Sequence, residues 1–158
     1  MDKKKPSIYA VFAAAIVVVT AIVFGILLIT RGPVKVTLDS EYQGASEQLE
    51  LGSPESYEEL IADKKSFIVF IDQAGCTTAD RLRGFMKDYS EESEIKYYHF
   101  MWEQLRKSTL HDNVKYYPSI AIISKGKVVD FLKADSDDDA KKYNNYDDLK
   151  SWLDSFIK

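Results

Sequence analysis

Residues 66–82 read Ser66-Phe-Ile-Val-Phe-Ile-Asp-Gln-Ala-Gly-Cys76-Thr-Thr-Ala-Asp-Arg-Leu82, and the rest of the chain is interpreted around this stretch. Five apolar residues in a row, Phe67 to Ile71, are typical of a short strand that is buried on both faces. After a polar break, apolar residues recur with the spacing of an amphipathic helix, at Leu82, Phe85, Met86 and Tyr89. The only cysteine of the chain, Cys76, is therefore predicted to lie between a central strand and the N-terminus of a helix. Free N–H groups and the helix dipole favour a thiolate there.

The residues around Cys76 predict where the helix starts and which charges surround the thiol. Thr77 and Asp80 form a Thr-x-x-Asp helix-start signal, which is related to a capping box. Asp72 and Asp80, if they lie close to the thiol, would disfavour the thiolate. Arg81 and Arg83 could offset these two acids.

The N-terminal residues predict a membrane anchor. Residues 8–30 contain no charged residue, and as a helix they would be about 35 Å long, enough to cross a bilayer. Three lysines precede this run, so residues 1–7 are expected in the cytoplasm and the remainder outside. A cleaved signal peptide is the alternative, but the run is longer than a typical signal sequence and no small-x-small cleavage site follows it.

The charge of the chain is unevenly distributed. Residues 36–158 hold 24 acidic and 16 basic residues, a net charge of −8. So acidic a domain argues against a nucleic-acid partner and against docking on an anionic membrane surface.

The remaining pattern predicts a single domain over residues 48–158, after a polar stalk over 31–47. The predicted elements begin with a strand near Gln48 to Leu51 and a helix capped by Ser53 with Pro54 at its first position. They continue after the cysteine helix with a strand over 94–102, a helix over 103–110, a strand over 119–123, a tight turn at 124–127, a strand over 128–132, a charged loop over 133–145 and a last helix from Tyr146. About 110 residues suffice for one modest core.

In this order the elements resemble the thioredoxin-fold family. Phe67 to Ile71 followed by Cys76 looks like the family's central strand and active-site cysteine, and Val114 to Ile120 looks like the segment with its cis proline, at Tyr117-Pro118. Lys125-Gly126-Lys127 and the residues after it look like the final hairpin. The resemblance implies a three-layer α/β/α domain with a mixed central sheet, preceded here by one transmembrane helix. The anchor and composition are also similar to membrane-tethered thioredoxin-like proteins of Gram-positive bacteria, including bacteriocin-transport accessory proteins.

The sequence departs from the family where redox chemistry is concerned. The Cys-x-x-Cys motif reads Cys76-Thr77-Thr78-Ala79 here, and without a second sulfur the chain cannot form an internal disulfide. The family's buried acid falls at Phe70, which cannot transfer protons. A peroxiredoxin-type peroxidase is discounted because Gln73 stands where its threonine would be.

What remains of the family site is a candidate nucleophile and a candidate binding surface. Cys76 could attack a partner disulfide and hold a mixed disulfide, or it could be an inherited residue that merely caps a helix. The resemblance implies that Thr77, Thr78, Tyr117 and Pro118 line a surface that binds an extended peptide as an added strand. Pro118 could equally be a simple strand start.

No cofactor and no metal site are expected. His99 and His111 lack a cysteine or second histidine at ligand spacing, so His99 is interpreted as a sheet residue and His111 as a helix-end residue. The acidic residues 135–139 do not complete an EF-hand loop, because Ala140 and Tyr146 stand where glycine and glutamate are needed.

Two hypotheses follow from these observations. The first is a single-pass, extracytoplasmic adaptor that binds an exported or membrane protein or peptide without turnover. The second is a monothiol thiol–disulfide exchange protein that uses Cys76, an oxidoreductase-like activity.

Overall fold

The computed structural model describes residues 33–158. The predicted cytoplasmic N-terminus over residues 1–7, the predicted transmembrane helix over 8–30 and the first residues of the predicted stalk lie outside the described residues. Within the described range, no helix has both the length and the apolar character needed to cross a bilayer.

Five strands form one mixed sheet, as the sequence predicted. Their order across the sheet is β1-β3-β2-β4-β5, with the bounds β1 Glu47–Glu50, β2 Phe67–Asp72, β3 Lys96–Met101, β4 Ser119–Ser124 and β5 Lys127–Phe131. β3 runs parallel to both β1 and β2, whereas β4 is antiparallel to β2 and β5 is antiparallel to β4. All six residues of β2 are buried, which explains why its sequence is a continuous apolar run.

Helices cover both faces of the sheet. Their bounds are α1 Pro54–Ala62, α2 Thr77–Ser93, α3 Trp102–Leu105 and α4 Tyr146–Phe156, with short 3₁₀ helices at Ser40–Tyr42 and Thr109–Asp112. α1 starts as predicted, because the Ser53 hydroxyl accepts a hydrogen bond from the backbone N–H of Ser56. Asn145 caps α4 in the same way, through the N–H of Asp148.

Side-chain contacts assign the helices to their layers. Tyr57 of α1 stacks on Phe100 with ring centroids 6.1 Å apart and meets Phe67 edge-on at 6.3 Å. On the opposite face α2 and α4 lie together, since the Tyr89 hydroxyl donates to the Asp154 carboxylate at 3.0 Å. The domain therefore has three layers, with the sheet between α1 on one face and α2 and α4 on the other, and the core lies on both faces of β2.

The helix predicted over residues 103–110 is shorter than expected. It is divided into α3 and the second 3₁₀ helix, with Ser108 between them. The Ser108 N–H and hydroxyl both donate to the carbonyl of Leu105, so the side chain competes with the helical pattern and closes the turn.

The prediction of a stalk over residues 31–47 is wrong for its described part. Val36, Leu38 and Tyr42 are buried in the core, and the Val36 N–H donates to the carbonyl of Phe156 at 2.6 Å. The alternating apolar residues were masked by the polar composition around them. Residues 35–158 form one compact unit with its own core, so we expect a fragment that begins at residue 33 to fold on its own.

The predicted tight turn between β4 and β5 is present. Lys125 and Gly126 both have positive φ, 50° and 73°, as a two-residue hairpin loop requires. A Cβ at Gly126 would also lie 2.4 Å from the carbonyl oxygen of Ile61. Glycine is therefore needed at this position for two separate reasons.

Candidate functional site

Cys76 lies at the start of α2, which begins one residue earlier than the sequence suggested. Cys76 itself is the N-cap and Thr77 is the first helical residue, so the Thr-x-x-Asp signal does not make Thr77 the cap. The thiol forms no capping hydrogen bond, although the Cys76 carbonyl accepts from the Asp80 N–H at 3.0 Å. Cys76 is half-buried, and the polar loop before it turns at Gly75, whose φ is 72°.

The other predicted site residues lie at the same end of the sheet. Thr77 is exposed and Thr78 is half-buried, and both belong to the first turn of α2. Pro118 is buried and directly precedes β4, where Ser119 is paired with Ile71 of β2. The register therefore places the Tyr117-Pro118 segment opposite the residues that lead from β2 to Cys76.

The Tyr117-Pro118 peptide bond is cis, as the family resemblance implied. The Pro118 carbonyl is occupied inside the domain, where the Tyr143 hydroxyl donates to it at 3.0 Å. In contrast, the backbone N–H and C=O of Tyr117 have no hydrogen-bond partner among residues 33–158.

The side chain of Tyr117 is held by an aromatic cluster. Its ring stacks on Trp102 with centroids 5.8 Å apart, and its hydroxyl shares a 2.8 Å hydrogen bond with Nδ1 of His111. The Arg106 guanidinium lies 5.4 Å above the Trp102 ring centroid. Burial raises the pKa of the Tyr117 hydroxyl, so this group is neutral at physiological pH. The cluster thus holds the Tyr117 side chain in place next to a backbone N–H and C=O that have no partner in the described part of the chain.

A charged network that the sequence analysis did not identify lies at the end of β2. Asp72 is only 3% exposed, and one of its carboxylate oxygens accepts hydrogen bonds from Arg83 at 2.6 Å and from Nε2 of His99 at 2.8 Å. The other oxygen accepts from the N–H of Gln73 at 2.7 Å. His99 in turn contacts Glu50 through Nδ1 at 2.7 Å. A buried carboxylate is tolerated here because it is paired on every side.

The network determines how the charged side chains near Cys76 pair with one another. Arg83 bridges Asp72 and Asp80, the two acids expected to oppose a thiolate. Arg81 does not join them, since its guanidinium bonds instead to the Tyr143 carbonyl and to the Asn144 side chain. The expected offset of the two acids is therefore made by one arginine.

The pKa shifts of the two carboxyl groups agree with this geometry. Burial raises the pKa of Asp72, but hydrogen bonds from Arg83 and His99 outweigh it and hold the pKa below its ordinary value. Glu50 behaves in the same way, because its bonds to His99 and Gln48 outweigh its partial burial and lower its pKa. Both groups are thus carboxylates at physiological pH.

The only available signal for this network was the position of His99. His99 does lie in a strand as predicted, but its partners Glu50 and Asp72 come from β1 and β2, and Arg83 of α2 joins the network only through Asp72. The spacing of residues in one sequence does not reveal which residues lie side by side in parallel strands. In residues 33–158, no three acidic, histidine or cysteine side chains are arranged to hold a metal ion.

Comparisons with known proteins identify similar folds but no similar sequence. No protein-family model matches the chain, and no curated protein matches its sequence. A mutant thioredoxin from Halobacterium salinarum NRC-1 is similar in structure with a TM-score of 0.55 and 12% identity, over 73% of this chain and 95% of that one. Thioredoxin O1 from Arabidopsis thaliana gives 0.53 and 9% over 70% and 98%, and a thioredoxin from Trypanosoma brucei brucei gives 0.52 and 11% over 69% and 89%.

Proposed function

Because residues 33–158 have the thioredoxin fold, we propose that this protein is a membrane-tethered, extracytoplasmic adaptor that binds an extended segment of another polypeptide without redox turnover. The observation that carries the proposal is the unpaired backbone N–H and C=O of Tyr117, at the same end of the sheet as a lone thiol. Two such groups on a rigid support can pair with an extended peptide as an added strand.

The surroundings of Tyr117 support peptide binding. A pocket of about 190 Å³ lies next to Tyr117, and its walls include Phe131 and Tyr116. Tyr116 is 57% exposed. Lys115 and Lys133 flank the pocket, and neither forms a salt bridge within the described part of the chain. Asp135 also lines the pocket and offsets one of the two lysines, so the aromatic wall suits an apolar side chain of the bound segment.

The absence of turnover rests on chemistry. The chain has a single sulfur nucleophile, so dithiol–disulfide cycling within one molecule cannot occur. Phe70, at the position where the family resemblance places a buried acid, is fully buried among apolar residues. The tether is supported by the uncharged run 8–30 and the lysines before it, which orient the domain to the outside.

Monothiol exchange is the second candidate, favoured by a half-buried thiol at the N-terminus of a 17-residue helix. The Cys76 thiolate would attack a partner disulfide, form a mixed disulfide and expel the other sulfur as a thiolate. A first external low-molecular-weight thiol would then attack the Cys76 sulfur of the mixed disulfide and release the partner as a thiol. A second would reduce the resulting Cys76 mixed disulfide, which returns the Cys76 thiol and leaves the two external thiols joined as a disulfide.

Site-specific crosslinking in cells separates these two functions. A photoreactive amino acid at position 116 should crosslink a partner in the wild-type background and equally in Cys76→Ser. The same label at Asp63, an exposed residue at the opposite end of the sheet, is the control and should not crosslink that partner. If the crosslink disappears in Cys76→Ser and the wild type carries the partner as a reducible adduct, the exchange function replaces the adaptor.

A direct measurement of thiol reactivity complements the crosslink. Iodoacetamide alkylation of residues 33–158 across a pH series reports how available the thiolate is. A slow reaction at neutral pH agrees with the adaptor, whereas a fast one that persists to acidic pH favours exchange.

A further inference from the structure

β1 is an edge strand, and its own side chains do not cover the outer edge of the sheet. β1 pairs only with β3, and three of its four side chains bond to the β3 residue at the same register. These bonds are Glu47 to Lys96 at 2.9 Å, Gln48 to the Tyr97 hydroxyl at 3.0 Å and Glu50 to His99 at 2.7 Å. These bonds direct the three polar side chains towards β3, although all three residues stay exposed.

Backbone hydrogen-bonding groups face outwards from this edge. The Leu51 N–H donates to the His99 carbonyl at 2.9 Å, which fixes the direction of the ladder. The backbone groups of successive residues in a strand point alternately to its two sides. Those of Leu49 therefore also point to β3, whereas those of Gln48 and Glu50 point away from the sheet. Their N–H and C=O groups have no backbone partner among the described residues.

A groove runs beside this edge. It has a volume of about 470 Å³ and lies between the first half of β1 and one side of α2. Gly84 of α2 lines it, and a Cβ built there would meet no atom within 4 Å. Glycine inside a helix is less favourable than alanine by about 1 kcal/mol, so packing does not explain Gly84. A residue without a side chain at this point allows a ligand to approach the helix closely.

The charges in the groove are already neutralised. Lys87 pairs with Glu91 at 3.8 Å, Arg83 with Asp80 at 2.8 Å, and Glu47 with Lys96. With no free charge to satisfy, the groove complements an uncharged ligand. A second copy of β1 does not match this chemistry, because two of its four residues, Glu47 and Glu50, are acidic.

We propose that the β1 edge binds an uncharged extended segment of another polypeptide as a sixth strand of the sheet, at a second site separate from the Cys76 end. The backbone groups of Gln48 and Glu50 pair with this strand, and its inner side chains enter the groove over Gly84. From Asp80 to Glu91 the helix rises about 17 Å, which matches about five residues of an added strand.

The test uses ¹⁵N-labelled residues 33–158 and an acetylated, amidated heptapeptide of alternating threonine and valine. Titration to about 1 mM peptide should shift the amide signals of Gln48, Glu50 and Gly84, and leave those of Thr77 and Tyr117 in place. Two N-methylated copies, modified at residues 2, 4 and 6 or at 3 and 5, should differ at least about tenfold in affinity, because only one set removes N–H groups that face β1.

Variants of Gln48 provide the matched control. Gln48→Pro removes the outward N–H without touching the ladder to β3, and should weaken binding about tenfold relative to Gln48→Ala, which keeps that N–H. Gly84→Leu should block the groove while the helix stays folded by circular dichroism.

Several results would overturn the proposal. They are an absence of shifts at the β1 edge, shifts confined to Thr77 and Tyr117, or equal affinities of the two N-methylated peptides. A fragment that sediments as a dimer, and becomes monomeric as Gln48→Pro, would show that a second copy occupies the edge instead.

Discussion

At the scale of single residues, Asp72 is the point where three elements meet. Its carboxylate joins the end of β2 to Arg83 of α2 and to His99 of β3, and it caps the loop that leads to Cys76. The position of the thiol thus depends on a charge that is itself 3% exposed. Removing either the charge or its partners leaves a buried polar group unsatisfied.

Asp72 should make the stability of the domain depend on acid pH. Its pKa is lower in the folded state than the ordinary value of about 3.9, so the stabilisation is present above about pH 4 and is lost as pH falls through the folded-state pKa. We expect Asp72→Asn to lower the free energy of unfolding by about 2–3 kcal/mol at pH 7 and by progressively less below pH 4. Urea denaturation of residues 33–158 over a pH series measures this.

The exposed Asp138 serves as the control for that series. Asp138→Asn should change the free energy of unfolding by less than about 0.5 kcal/mol at every pH. An Asp72→Asn effect that is independent of pH would contradict the role assigned to the charge.

Two glycines predict opposite effects of the same substitution. Gly84→Ala should raise the free energy of unfolding by about 1 kcal/mol, since its Cβ meets nothing and the helix gains propensity. Gly126→Ala should lower it by more than about 1 kcal/mol, because φ is 73° and the Cβ would lie 2.4 Å from a backbone oxygen. Denaturant midpoints compare the two, and destabilisation by Gly84→Ala would show that the helix backbone there is under a constraint not visible in its contacts.

At the scale of elements, α2 begins without a side-chain cap. Ser53 and Asn145 cap α1 and α4, but the thiol at the same position of α2 accepts no hydrogen bond. A residue type that is poor at capping occupies the start of the longest helix described.

A cap series at position 76 tests this account. Cys76→Ser should be more stable than Cys76→Ala by about 1 kcal/mol, because serine can accept from the free N–H groups of the first turn. The wild type should resemble Cys76→Ala, since its thiol does not cap. Thermal unfolding of the three proteins measures the series, and a wild type as stable as Cys76→Ser would mean that the thiol does cap the helix.

Elements with strong local signals were predictable from the sequence, and those decided by distant contacts were not. β2, the start of α1 and the hairpin at Gly126 were predicted, because a buried apolar run, a Ser-Pro start and a tight-turn glycine each act locally. The Thr77 start signal placed the cap one residue too late, because the observed cap residue Cys76 makes no capping hydrogen bond and therefore leaves no local signal in the sequence. The predicted site residues do lie at the same end of the sheet, but their roles stay a prediction. The Asp72 network could not be predicted, because it needed the register of three strands.

At the scale of the whole molecule, the first described residues of the chain complete the core of the domain. Val36 and Leu38 are buried, and Val36 bridges to Ile157 beyond the end of α4. The sheet alone therefore does not complete the core.

Truncating these side chains should show how much the N-terminal segment contributes. Leu38→Ala should lower the free energy of unfolding by about 2–4 kcal/mol, because the side chain is 2% exposed and leaves a cavity. Val34→Ala, at a residue that is 67% exposed, is the control and should stay within about 0.5 kcal/mol. Urea denaturation measures both, and equal effects would return residues 33–38 to the predicted stalk.

The bridge between Val36 and Ile157 has a practical consequence for handling the domain. Asp39 bonds to Ser66 at the start of β2, so both ends of the described chain lie at the end of the sheet away from Cys76. A biosensor surface that captures the fragment through a tag on either terminus will therefore present the Cys76 end to the solution. The same attachment leaves the thiol free for a fluorescent label, and each molecule then carries its single dye at a known distance from the surface.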